Sequence, residues 1–426
     1  MNTHYNKKID EKSDNITNKI MNNINISLNI NMSKIIIFLI LLFSLNFLNL
    51  EKYLLIILTG VFALYTIIHK KSIVINLEMC ILLLFSLSYC IFYSQYHNYI
   101  TSTVIEIGIF PVLAYFLGLN IFRNCKSIGN KIIWAIVMGL FMNGALNMYL
   151  FYQAGENLRV IPQFWSGETL VATLNNCFFM MMTSLLYISI FIVKKYRVKI
   201  ILWICIGYGI VSSISTASRT LIYITILVFM LNLAIHFYLN SDKASENLKM
   251  ALKASFLVLM IIIMFSVNAF NLKDKYESSA LSERFKTEDL NMDSEPRFIT
   301  QIKVLGQIFE HPFGDRQMNL YGLEYAHNMW LDTLNAVGAF PFLFLVIYSL
   351  LTIRTIYKIV KTRCLNIEDA LILFSVTMSV YTNFMLEPII EGFPYYFILM
   401  CMVNGVSYGK YNVANQKNNI KEYIKQ

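Results

Sequence analysis

Residues 271–327 read NLKDKYESSALSERFKTEDLNMDSEPRFITQIKVLGQIFEHPFGDRQMNLYGLEYAH, the longest run in the middle of the chain that cannot sit in a bilayer. On both sides of it the sequence is apolar, in runs long enough to span. What the flanking runs are, and which side of them this stretch faces, decide the fold and bound the function.

The chain has 426 residues, of which 57% are hydrophobic and 14% charged, with mean hydropathy +0.55. That composition excludes an ordinary soluble domain. A span needs about 20 mainly apolar residues. The intervals 35–50, 53–68, 75–93, 104–122, 132–152, 169–193, 200–215, 220–239, 251–270, 328–351, 368–386 and 393–409 meet or approach that requirement. The expected fold is therefore all-α, a polytopic membrane helix bundle of about 12 spans with one long outer loop. Residues 1–33 are Asn- and Lys-rich and are expected to be a disordered cytoplasmic tail. Residues 34–270 would form a bundle of about nine spans, 271–327 the outer loop, 328–409 the C-terminal spans and 410–426 a second cytoplasmic tail. The basic residues near the start do not directly precede the first apolar run, which argues for a first span and against a cleaved leader. The seven cysteines show no CxxC or metal-ligand spacing.

Lysine and arginine set the orientation. Short loops on the side of the N-terminal tail carry sixteen of them, and short loops on the other side three, Lys52, Arg159 and Arg219. Residues 271–327 thus face outward, with both tails inside. The net charge of +9 is accounted for by these loops and does not call for nucleic acid. The outer loop itself holds seven Lys/Arg and ten Asp/Glu, so it is no basic patch. Glu288, Asp289, Asp293 and Glu295 follow no cation-loop spacing.

Arg219 runs against the positive-inside bias. It follows the hydroxyl-rich stretch Ser212-Ser213-Ile214-Ser215-Thr216-Ala217-Ser218 and heads an apolar helix. A helix start offers unpaired N–H groups and a positive dipole end, and a guanidinium there completes an anion site. An arginine snorkelling to the interface is the plainer alternative. In the loop, Pro296 and Arg297 open a segment with Phe298, Ile302, Leu305 and Phe309 at helical spacing. This predicts an amphipathic helix of about 14 residues lying on the membrane or on the bundle. Arg284 and Arg316 are the other outer arginines of interest. His327 stands at the loop's exit, where an imidazole can take a proton from a hydroxyl. Asn328 can bind a sugar or cap the next helix, and Asp332 lies one turn on. Helix capping alone would also explain His327 and Asn328. Glu387 and Glu391 bracket an outer turn and pass as ordinary loop charge.

Three of these pieces in this order resemble the O-antigen polymerase and O-antigen ligase superfamily of bacterial membrane glycosyltransferases. They are Ser218-Arg219 heading an apolar helix, Arg297 opening an amphipathic helix that ends in His311-Pro312-Phe313-Gly314, and His327-Asn328 with Leu331 and Gly338. The motif-bearing similarity covers about residues 200–350. The resemblance implies transfer of a glycan from an undecaprenyl-pyrophosphate-linked oligosaccharide at the outer face of the bacterial inner membrane. Arg219 and Arg297 would hold the pyrophosphate, His327 would assist the acceptor hydroxyl, and Ser218, Arg284, Arg316 and Asn328 would contact substrate. Arginines would stand where a metal might otherwise serve, so neither metal nor cofactor is expected. The partners implied are the lipid-linked glycan and the bilayer, with a chain-length regulator left open. Gly314 is followed by Asp315-Arg316-Gln317, where the family often has a second glycine, and Arg219 by Thr220, which favours polymerase over ligase. Transporter and sensor are the competing classes. The first would put charges near mid-bilayer, and the second needs an output domain that the short tails do not provide.

Overall fold

The computed structural model describes residues 32–96, 102–125, 128–154, 160–242, 244–279, 281–282, 296–318, 320 and 322–425. Most of the expected N-terminal tail, Arg159, Arg284 and the acidic stretch 283–295 fall outside them.

The chain is a polytopic helical bundle. Among the described residues, eight helices are long and apolar enough to cross a membrane. They are α2 (Glu51–Ile68), α3 (Leu77–Tyr96), α4 (Ser102–Asn124), α5 (Lys131–Ala154), the broken unit of α6 (Ala172–Asn175), α7 (Cys177–Thr183) and α8 (Leu186–Phe191), then α9 (Tyr196–Ser215), α10 (Arg219–Leu239) and, late in the chain, α15 (Ala339–Thr362). A shorter apolar helix, α1 (Met32–Ser44), precedes them. Three further expected spans coincide with helices outside that class: α11 (Ala244–Ser266), α16 (Ile367–Phe384) and α18 (Pro394–Lys425).

Four expectations are corrected in detail. The first helix ends at Ser44, because Asn46, Leu48 and Asn49 adopt left-handed backbone and turn the chain before Glu51. The interval 169–193 does not open as helix. Thr169–Val171 (β2) pairs antiparallel with Val160–Pro162 (β1), so among the described residues the fold is all-α apart from this two-stranded sheet. The interval 328–351 is not one span. A short helix, α14 (Met329–Val337), is cut from α15 by Gly338 at φ +85°. The expected tail at 410–426 is helical as far as Lys425, since α18 continues into it.

Between the bundle halves lie α12 (Leu272–Glu277) and the loop helix α13 (Pro296–Gly306), and a single turn, α17 (Ile389–Gly392), sits before α18. Helix α7 is the most enclosed element, with all seven residues buried among α5, α9, α10 and α16. Helix α4 packs along α18 at very short range. A Cβ at Gly118 would lie 2.1 Å from the Met402 carbonyl oxygen, and one at Gly405 2.2 Å from that of Tyr115. Lipid tails are as apolar as leucine side chains, so helices in a bilayer associate through close packing of small residues such as these.

Gly405→Leu should therefore force α4 and α18 apart and cost about 1–3 kcal/mol or more, as overpacking does. A lower melting temperature in detergent is the expected result. Gly207→Ala, a helical position with nothing near the added carbon, should leave it unchanged.

Candidate functional site

The site is built from the ends of helices at one end of the bundle, together with the loop that precedes α14. Its floor is the segment from Asn383, near the end of α16, to Gly392, which buries Asn383, Glu387, Ile389 and Ile390 and leaves Met385 and Leu386 exposed. Glu387 is 1% exposed, and the Glu391 side chain 8%. An apolar bundle buries a carboxylate only at considerable cost unless it is paired.

The outer loop returns over this floor at a fixed point. Pro312–Gly314 crosses the Gly338 break backbone to backbone. The Ala339 N–H donates to the Pro312 carbonyl at 2.8 Å, and the Arg316 N–H to the Asn335 carbonyl at 2.8 Å. A Cβ on Gly314 would meet the Gly338 nitrogen at 2.5 Å, and one on Gly338 the Phe313 carbonyl carbon at 2.5 Å. Both glycines have positive φ, so each is required twice over. A small core of Val304, Met318, Ala326, Leu331 and Leu334 fills the space between α13 and α14. Helix α13 is shorter than expected, 11 residues, and its buried face is Thr300 and Val304. Phe298, Ile302, Leu305 and Phe309 face outward, with Phe309 92% exposed, so the apolar stripe does not pack on the bundle.

His327 sits in left-handed backbone, φ +52°. That is uncommon for a residue with a side chain and costs about 1–3 kcal/mol unless the surroundings enforce it. Asp332 enforces it. Its carboxylate accepts from the Ala326 N–H at 2.6 Å and the Asn328 N–H at 3.1 Å, clamping the residues on either side. Asp332 lies on α14, outside the candidate spans, and burial pushes its pKa up from 3.8 to about 7 against the pull of those two amides. Asn328 caps α14, its Oδ1 accepting from the Trp330 and Leu331 N–H groups.

Four expected site residues, His327, Arg297, Asn328 and Arg316, engage the floor segment. His327 Nδ1 stands 3.9 Å from Glu387 Oε2. Arg297 Nη1 donates to the Leu386 carbonyl at 3.5 Å, and Asn328 Nδ2 to that of Met385 at 3.5 Å. Arg316 is bound to Glu391 at 2.6 Å, with its guanidinium 6.0 Å from the Tyr325 ring centre. Burial raises the Glu391 pKa and Arg316 opposes that shift, so the arginine holds a protein carboxylate here.

Ser218 and Arg219 join from the other flank. Ala217 is left-handed, Ser218 is extended and buried, and Arg219 is the half-buried first residue of α10. The turn is pinned by Asn176, whose Nδ2 donates to Thr216 Oγ1 at 3.1 Å. The next residue, Cys177, accepts from Asn383 Nδ2 at 3.0 Å and is close enough to Glu387 to interact electrostatically. On the same side Asn147 bonds Asn175 at 3.0 Å and anchors the hairpin through the Phe164 N–H. The sequence marks Asn175, Asn176 and Asn383 only as polar interruptions of apolar runs, and Glu387 as a loop acid.

Among the described residues, buried polar atoms without a protein hydrogen-bond partner in this region include Asn175 Nδ2, Asn176 Oδ1, Ser218 Oγ, His327 Nδ1, Asn335 Oδ1, Glu387 Oε1 and Glu391 Oε1. Each such atom costs about 1–3 kcal/mol. Such atoms at helix ends are groups that a polar ligand can satisfy. No family model and no curated protein matches the chain.

Asp332 carries a pH signature. Its folded pKa, about 7, exceeds the ordinary 3.8, so the folded state holds the proton more tightly than the unfolded one. The resulting stabilisation is complete below the unfolded value and is lost as pH rises through the folded one. Melting temperature should fall between roughly pH 4 and 7, and Asp332→Asn should flatten that slope.

Proposed function

We propose that the chain is a polymerase of lipid-linked O-antigen or capsule repeat units, transferring glycan from an undecaprenyl-pyrophosphate carrier to a sugar hydroxyl. The observation that carries this reading is His327 facing the buried Glu387, on a segment that Arg297 and Asn328 also engage. Two of the resembling pieces, at Arg297 and at His327-Asn328, engage this segment, and Asn176-Cys177 runs between it and the turn that carries Ser218-Arg219.

In the reaction, the acceptor oxygen attacks the anomeric carbon of the donor sugar. The bond from that carbon to the pyrophosphate oxygen breaks, and the carrier pyrophosphate leaves with the electron pair. His327 takes the acceptor proton as the new bond forms. Glu387 behind it orients the ring and stabilises the imidazolium, the role a carboxylate plays for histidine in other proton relays. Arg219, at the start of α10, and Arg297, in the first turn of α13, meet the charge growing on the leaving pyrophosphate. Fixed cations at that point stabilise the transition state more than the ground state. Asn328 positions the acceptor, and the outward apolar stripe of α13 rests in the bilayer beside the carrier's lipid.

The full arrangement is twelve spans in a bacterial inner membrane, with both termini cytoplasmic and the site outside. The alternation of helix ends fits it, since the ends of α5, α9 and α16 and the starts of α6 and α10 gather on one side.

The glycan profile of a deletion strain tests the assignment. Polymerase loss leaves single repeats on the surface, whereas ligase loss leaves bare core with polymer on the carrier. Arg219→Ala, Arg297→Ala and His327→Ala should each abolish polymer while the protein still inserts. Arg219→Lys should also be poor, because a point charge does not replace a bidentate fork. Wild-type chain lengths from all three alanine variants would overturn the reading.

A further inference from the structure

The opposite end of the bundle holds a second built site, which plays no part in the reaction above. A cavity of about 830 Å³ opens there between the end of α8, the following loop, the last turn of α10 and the starts of α11 and α16. Its apolar wall includes Trp134, Phe191, Met250 and Ile367. Its polar lining is Lys194, Lys195, His236, Asn240, Glu246 and Glu368.

His236 is the informative residue. It is 7% exposed, it lines the cavity, and its Nδ1 is buried with no protein hydrogen-bond partner. Glu246 lies close enough to interact with it electrostatically. An unmet polar atom in an apolar wall is expensive, and a ligand that satisfies it recovers that cost.

The shape of the cavity selects the ligand class. It lies where spans end, at headgroup depth, with a tryptophan in its wall as membrane interfaces favour. Half of its wall is greasy, which suits an acyl-glycerol body better than a soluble metabolite. Basic pockets between spans on the lysine-rich side take lipid phosphates. This one also carries two carboxylates, which a purely anionic headgroup would meet with repulsion. Lys194, Lys195 and the His236 ring suit a phosphate, and Glu246 and Glu368 in the same lining suit a primary ammonium. We propose that this cavity binds a zwitterionic phospholipid with an ethanolamine headgroup. A choline headgroup has no N–H to donate to the carboxylates, and a glycerol headgroup has no cation for them.

The test uses the purified full-length chain in nanodiscs of phosphatidylcholine alone or doped with phosphatidylethanolamine or phosphatidylglycerol. Phosphatidylethanolamine should raise the melting temperature, and native mass spectrometry should find it retained on the protein. Lys194→Gln/Lys195→Gln and Glu368→Gln, all at exposed positions, should each lose most of that shift and of the retained lipid while melting as wild type in phosphatidylcholine. An equal shift from phosphatidylglycerol would overturn the ethanolamine assignment. Full retention of phosphatidylethanolamine by both variants would place the lipid elsewhere and overturn the site. Soluble glycerophosphoethanolamine should give no shift in detergent, and a shift as large as the lipid's would overturn a lipid as the occupant. His327→Ala should keep the phosphatidylethanolamine response whether or not it loses polymer, so the two sites fail independently.

Discussion

The outer half of the molecule depends on one contact, the backbone of Phe313-Gly314 laid directly on Gly338. Side chains are excluded from it on both strands, and the Pro312 carbonyl is tied across it to Ala339. The contact fixes where the long loop returns to the bundle. It also separates α14 from α15, so the segment carrying His327 and Asn328 takes its own angle over the floor instead of continuing a span. Asp332, one turn into α14, then holds the chain on both sides of His327. A loop of this length would otherwise have many ways to lie. Here its part from Pro296 to His327 is held by Arg297 and Gln301 near the start of that part and by the glycine crossing and the Asp332 clamp further on.

The bundle beneath imposes the complementary constraint. Polar groups enclosed by apolar helices must find partners within the protein. Over most of the described chain they do. Glu78 takes the hydroxyls of Tyr115 and Thr355. Asn232 pairs with Ser375, and Lys410 with Asn130 and Asp369. These links tie distant helices together and leave little for a ligand. Against that background, the unsatisfied atoms of Asn175, Asn176, Ser218, His327, Glu387 and Glu391 stand out by their proximity to one another, more than by their number.

Spans were legible because the signal for them is local, and about 20 apolar residues in a row admit few other readings. The same locality hid the rest. Gly338 lies inside an apolar run and looks like one more small residue of a span, because its positive φ is imposed by a strand of loop 24 residues earlier, at Gly314. The stripe on α13 was visible at helical spacing, but its direction was not. The loop builds its own small core on Thr300 and Val304 and leaves Phe298 and Phe309 outside. Glu387 has the composition of a loop acid, and its burial comes from tertiary packing, with Cys177 of α7 nearby and α14 and α18 against the turn that follows. Arg219, Arg297 and His327 were identifiable as outer polar residues at helix starts or loop ends. That Arg297 and His327 share a floor, and that Asn176 links the Arg219 turn to it, is a property of chain crossings that no window of sequence contains.

The left-handed backbone at His327 has a consequence for how substitutions there are interpreted. A side chain at positive φ meets a steric penalty that asparagine and glycine tolerate better than alanine does. Replacing His327 by alanine therefore alters two things at once, the imidazole and the ease with which residue 327 keeps its turn. An inactive alanine protein mixes lost proton transfer with a loosened loop exit. Asparagine keeps the turn accessible and removes the base, so the difference between the two variants separates conformational from chemical loss at one residue.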